Sequence, residues 1–301
     1  MNASFIPILL ALILAPLLPG IISRIKALFA GRRGPPLLQT YFDLWKLLRK
    51  GAVYSRTTTW IFRAGPLVGL AATLTATALM PLGNAPALIA FPGDFVLFAG
   101  LLALARFFTA LAALDTGSAF EGMGASREVF FSALAEPALL VALATLARQS
   151  GQLSLSTMLS APPGTHWAAT GPVLTLVLIA LMIVLLAENA RLPVDDPNTH
   201  LELTMIHEVM VLDHGGPDLA FILYGAALKL WLCASLLAGI VLPPAAPLWR
   251  NLIFSVAAIG TVAVVVGVIE SVMARLRLPL VPQLLVGAGA LAAVAFLLGL
   301  R

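Results

Sequence analysis

Eight runs of about twenty apolar residues recur along this chain, each long enough to cross the hydrocarbon core of a bilayer as a helix. They fall at about 4–23, 61–81, 94–114, 131–148, 171–189, 217–241, 251–273 and 280–300. Backbone groups in lipid find no water to bond, so runs of this kind close their hydrogen bonds internally as helices. The expected fold is an all-α integral membrane protein, a single transmembrane domain over residues 1–301 with about eight spans. Only 11% of the residues are charged, against about 25% in a soluble domain, which leaves too little charge to clothe a water-facing surface. The first run has no basic residue ahead of it and is followed by Arg24 and Lys26, so it reads as a retained helix rather than a signal peptide.

The net charge of +4 invites a nucleic-acid reading, but the positions of the charges exclude it. Half of the Lys and Arg lie between Arg24 and Arg63, beside apolar spans. With eight spans, one side of the membrane holds that stretch together with Arg127, Arg191, Arg275 and Arg277. The other holds only Arg148, Arg250 and Arg301. The positive-inside rule then makes the first side cytoplasmic and places both termini outside, in a bacterial or archaeal inner membrane. Cytoplasmic loops are expected at about 24–60, 115–130, 190–216 and 274–279, and the polar interval 149–170 is expected to be a loop on the opposite side. Within the first loop, Leu37, Tyr41, Leu44 and Leu48 share one helical face and Gln39, Asp43, Lys46 and Lys50 another, which predicts an amphipathic helix of about three turns lying in the membrane interface or against a partner.

Soluble-enzyme motifs fail on inspection. Gly122-Met123-Gly124 starts a glycine fingerprint, but Arg127 takes the place of its third glycine; His207-Glu208 starts a zinc-protease motif, but Val211 stands where the second histidine belongs. His200, His207 and His214 are seven residues apart, about 10 Å along a helix, too far to share a metal. The single Cys233 cannot hold an iron–sulfur cluster, which needs about four ligands. No metal or cofactor is therefore expected in this chain.

The chemically telling residues are charges inside apolar runs: Arg106, Glu136, Glu188, Lys229 and Glu270, with Asp115 at a boundary. Each costs about 2.5–3.5 kcal/mol at the bilayer centre, so all must face protein or a hydrated path. Arg106 and Lys229 are best read as ion-pair partners. Glu136, Glu188 and Glu270 fit either an ion pair or proton transfer. The segment from Glu188 to Glu202 concentrates Arg191, Asp195, Asp196 and His200 between prolines, and irregular polar backbone of that kind is tolerated where protein covers it or it lines a cavity.

The stretch Gly34-Pro35-Pro36-Leu37-Leu38-Gln39, followed by Asp43 and Lys46-Leu47, resembles the first cytoplasmic loop of the respiratory complex I subunit 1 family. Ala187-Glu188, Arg191, Pro193, Asp195, Pro197 and Glu202-Leu203 are similar to that family's second signature, in matching order. Asn198 and His200 stand where the quinone-reducing branch has acids, and Gly51 where it has Glu. With Glu121-Gly122-Met123-Gly124-Ala125-Ser126-Arg127-Glu128 and Ala135-Glu136-Pro137, the pattern looks most like the membrane subunits of group 4 membrane-bound NiFe-hydrogenases. The resemblance implies a subunit that carries no metal itself. Its partners would be the NiFe-hydrogenase large and small subunits, an iron–sulfur subunit and antiporter-like membrane subunits, with the nickel–iron and iron–sulfur centres in those chains. It further implies a proton or coupling path through Glu136, Glu188, Glu202, Glu270 and Asp115. Arm docking would fall to Arg32, Arg33, Gln39, Asp43, Lys46, Glu121, Arg127, Glu128, Arg191, Asp195 and His200. A quinone-chamber subunit of an NADH dehydrogenase-like complex is the alternative. A stand-alone transporter is disfavoured by the lack of an internal repeat.

Overall fold

Every apolar run becomes helical in the computed structural model, which describes residues 3–160, 163–195, 205–242 and 247–300, with backbone alone at 163–169. The helices are α1 (Phe5–Leu14), α2 (Leu17–Phe29), α3 (Gln39–Leu48), α4 (Trp60–Leu79), α5 (Asp94–Asp115), α6 (Ala119–Ser150), α7 (Leu155–Ser160), α8 (Pro163–Glu188), α9 (Gly216–Val241), α10 (Leu248–Val272) and α11 (Val281–Leu298). Seven are long and apolar enough to span a membrane singly, and α1 and α2 form one further span bent by 43°. The bend follows from Pro16, whose ring and missing N–H interrupt the helical ladder. The chain is a multi-pass membrane protein.

The most enclosed span is α9, which packs against α4 on one side and α10 on another. From α4 the bundle continues through α5 to α6, and α11 closes against α6 and α8. Lipid supplies no hydrophobic drive between helices, so close packing uses small residues. A Cβ on Gly65 would stand 2.8 Å from that of Ala112, and one on Gly267 would stand 2.9 Å from that of Ile25; these glycines let α4 approach α5 and α10 approach α2.

Three boundaries differ from the sequence reading. The amphipathic helix exists as α3, resting on α2 and α9, but its inward stripe is narrower than predicted. Tyr41 and Leu44 are half-buried, while Leu37 and Leu48 are exposed along with Phe42 and Trp45. The apolar run 131–148 is only part of α6, which begins at Ala119, just beyond the turn at Gly117 (φ 71°) and Ser118. Apolar runs report where lipid begins, not where a helix begins, so the first three turns of α6 escape them. The polar interval 149–170 holds α7 and the start of α8 rather than an open loop. Asp94, fully buried at the start of α5, accepts from Ser154 Oγ at 2.6 Å and Leu155 N at 2.7 Å and so fixes α7.

The glycine pair in α6 shows why that motif is not a phosphate cradle. A Cβ at Gly124 would collide with Val209 and come 2.9 Å from Ile206 O and 3.0 Å from Met210 Cγ; one at Gly122 meets nothing within 4 Å. Gly124→Ala is expected to destabilise the chain by about 1–3 kcal/mol through overpacking. Gly122→Ala, in open space on a helix, should leave stability unchanged or raise it. Thermal unfolding of both variants in one detergent checks the contrast.

Candidate functional site

Four helices from distant parts of the chain bring their charges to one place. Arg106, on α5 and 8% exposed, extends its guanidinium between two carboxylates: Nη1 donates to Glu188 Oε1 and Nη2 to Glu136 Oε1. Lys229 on α9 stands 3.4 Å from the other oxygen of Glu188. The Glu188 side chain is 1% exposed and ends α8, where the helix dipole disfavours negative charge. Two cations are what hold a carboxylate there, because an unpaired one would cost several kcal/mol in desolvation. The planar fork of arginine suits a bridge between two acids, which a lysine could not span.

A water-accessible cavity of about 90 Å³ opens beside this row, between α4 and α9, and is lined by Arg106, Glu128, Glu188, Asn189, His207 and Lys229 at its polar end. Its other walls are apolar: Gly65, Pro66, Gly69, Leu70, Phe221 and Ile222. At about 10–15 Å³ per water it has room for several waters. A second space of about 10 Å³ shares Arg106, Glu128 and Glu188 and reaches Asp195 and Ile206. Glu128 therefore borders both. Counting Glu128, Glu136 and Glu188 against Arg106 and Lys229, three carboxylates face two cations, and the group is electrically neutral only when it binds one proton.

A second set of charges ties down the segment after α8. Glu270, buried on α10, pairs with Lys26 at 2.9 Å and with Arg191 at 3.4 Å. Asp195 pairs with Arg275 at 2.8 Å and accepts the backbone N–H groups of Ile206 and His207, both at 3.1 Å. Arg127 donates to Met205 O at 3.1 Å, and Leu276 N donates to Pro193 O at 3.0 Å. Residues before and after this segment are thus clamped to α6 and to the end of α10. Burial pushes the His207 imidazole down to about 4, with the Lys229 charge adding to it, so it stays neutral at pH 7. Because the unfolded side chain takes up its proton first, the neutral site loses stability as pH falls below about 6.5.

Other predicted residues lie apart from these sets. Asp115 caps α4, accepting from Thr59 N at 2.7 Å, Thr59 Oγ1 at 2.8 Å and Phe62 N at 3.2 Å. Glu121 is buried and accepts from Asp213 N at 3.3 Å. Gln39 and Asp43 bond each other at 2.9 Å on the outer side of α3, where Lys46 is also exposed, as are Arg32 and Arg33 before it. Asp196, Asn198, His200 and Glu202 lie outside the described residues. Among the described residues, no three His, Cys, Asp or Glu are placed to hold a metal ion. His214, an anonymous loop histidine in the sequence, stacks on Phe62 at 3.9 Å and 9° between planes. Sequence reasoning named Lys26 and Arg275 only as cytoplasmic charges. Nothing in their local pattern marks them as the counter-ions of Glu270 and Asp195, since both partners are remote in sequence.

Comparison with known proteins agrees with the whole-chain character of this architecture. A family model described as NADH dehydrogenase matches residues 2–299. Formate hydrogenlyase subunit 4 of Escherichia coli (strain K12) is 32% identical over 289 residues, covering 92% of each chain. Hydrogenase-4 component C of the same organism is 33% identical over 278 residues, 90% of this chain and 86% of the relative. In fold, the chain is similar to one from the membrane-bound sulfane sulfur reductase, an archaeal respiratory membrane complex, with a TM-score of 0.86 at 22% identity over 99% of this chain and 98% of the other.

Proposed function

The chain belongs to the NADH dehydrogenase family of complex I subunit 1-like membrane proteins, and on that premise we propose that it is the membrane-anchor and proton-coupling subunit of an energy-converting NiFe-hydrogenase complex. Near-complete alignment with two hydrogenase subunits supports the class of complex. The observation that carries the coupling role is the row Lys229–Glu188–Arg106–Glu136. It runs from a hydratable cavity to a carboxylate whose side chain is 39% exposed on the outer surface of α6. A charge at that depth is too costly to face lipid, so Glu136 is where an adjoining membrane subunit, of antiporter-like type, receives the proton or the field change. The basic side of the bundle, with Arg32, Arg33, Asp43, Lys46, Arg191 and the clamped Asp195, docks the hydrogenase and iron–sulfur subunits in the cytoplasm, and both termini lie outside. The nickel–iron and iron–sulfur centres belong to those partners.

The test is Glu136→Gln in the complex reconstituted into vesicles. Hydrogenase turnover with a soluble donor should persist within about twofold, while acidification linked to turnover falls by tenfold or more, the scale on which general acid–base groups act. Unchanged acidification would remove Glu136 from the path. A quinone-chamber role is the second reading, favoured by the apolar walls of the cavity beside the charged row. A quinone co-purifying with the complex, in the absence of hydrogenase activity, would establish it instead.

A further inference from the structure

We propose that a cavity between α9, α10 and the turn after α4 binds the phosphate of an anionic phospholipid. The cavity, of about 310 Å³, is lined by Ser235 and Gly239 of α9, Asn251 and Ser255 of α10, Leu82 of the turn and Arg250 at the rim. It lies where α4 and α9 end and α10 begins, at the end of the bundle opposite Asp115 and Arg191. That is the side with few basic residues, so an arginine at the cavity is notable for what it faces.

Three observations make the site one that attracts an anion. No carboxylate lines it, and among the described residues none pairs with Arg250, whose guanidinium lies 5.7 Å from the ring of Phe254. Ser235 Oγ, on a residue 3% exposed, borders the cavity and has no hydrogen-bond partner among the described residues; a buried hydroxyl left unmatched is costly unless something in the cavity bonds it. The N-terminus of the 25-residue α10 opens at the same place, and the first amide groups of a helix attract anions.

The walls are built for this space. Gly83 holds φ +57°, and a Cβ there would sit 3.2 Å from the Asn251 backbone; a Cβ on Gly239 would sit 3.2 Å from Leu159. Beyond the rim, Trp249, Ile253 and Phe254 are exposed at 63%, 59% and 50%. A tryptophan at the start of a span marks the headgroup level, and the apolar surface below it offers a track for an acyl chain. A phosphate at Arg250 with its chains along Ile253 and Phe254 satisfies the polar and the apolar parts together.

The experiment is native mass spectrometry of the full-length chain in its solubilised complex, offered phosphatidylglycerol and phosphatidylcholine of equal chain length. The wild type should retain phosphatidylglycerol in preference by about tenfold or more, the worth of one charge-assisted contact. Arg250→Gln should bring the ratio near unity and Arg250→Lys should keep it. Ser235→Ala, which preserves packing, should lower it by about threefold, a neutral hydrogen bond's share. Equal retention by the wild type, or an undiminished preference in Arg250→Gln, overturns the proposal. Millimolar inorganic phosphate should not displace the lipid. Displacement would assign the cavity to free phosphate and overturn the lipid assignment.

Discussion

Replacing Arg106 by Ala is expected to destabilise the folded chain by about 3–5 kcal/mol, the scale of leaving a buried charge uncompensated. The effect is this large because one guanidinium serves two carboxylates, and Glu188 keeps only Lys229, 3.4 Å away, once it is gone. The group then holds three carboxylates against one cation and must bind two protons to be neutral. Arg106→Lys should recover part of the loss, since an ammonium restores the charge but cannot span both acids. Equilibrium unfolding in mixed detergent measures each value. An alanine variant within about 0.5 kcal/mol of the parent, the range of an unremarkable surface change, would mean that Glu188 does not depend on Arg106.

The second large effect is expected at Asp195. Its carboxylate, 3% exposed, holds Arg275 and two backbone amides, each a charge-assisted bond worth about 1.5–3 kcal/mol. Asp195→Ala should therefore loosen the contacts between residues 189–195 and 205–214 by at least about 3 kcal/mol, which raises their opened population roughly a hundredfold or more. Limited proteolysis should cut there correspondingly faster, while the spanning helices stay intact. On the proposed docking role, the partner subunits should be lost on purification. Wild-type cleavage rates together with full recovery of the partners would separate this segment from docking.

How much of this was legible beforehand depends on the range of the physics involved. The spans were readable because lipid imposes a length and a composition on about twenty contiguous residues. The cost of charge in lipid likewise singled out Arg106, Glu136, Glu188, Lys229 and Glu270 as residues that must have partners. Which partner each has was not readable, since Arg106 meets Glu188 across 82 positions and Arg191 meets Glu270 across 79. Asp115 illustrates the same limit: its boundary position marked it as a charge near the membrane, but its contacts with Thr59, 56 positions earlier, by which it caps α4, were not readable. The role of Gly124 depends on Val209 and Ile206 arriving from a separate segment, so its motif pointed nowhere until the chain was folded.

The spacing of the buried pairs also sets an order for biogenesis. Arg106 leaves the ribosome 82 residues before Glu188, a wait of roughly 4–16 s at 5–20 residues per second. Through that interval α5 carries a cation with no deep partner. Glu128 and Glu136, which follow on α6, are the first acids of the group to arrive, and Glu136, after only 30 residues, is the first that bonds Arg106 directly. Pairing across this short loop would let α5 and α6 enter the bilayer with the deep arginine already matched to an acid. Glu188 and Lys229, made later, complete the row once α8 and α9 are in place.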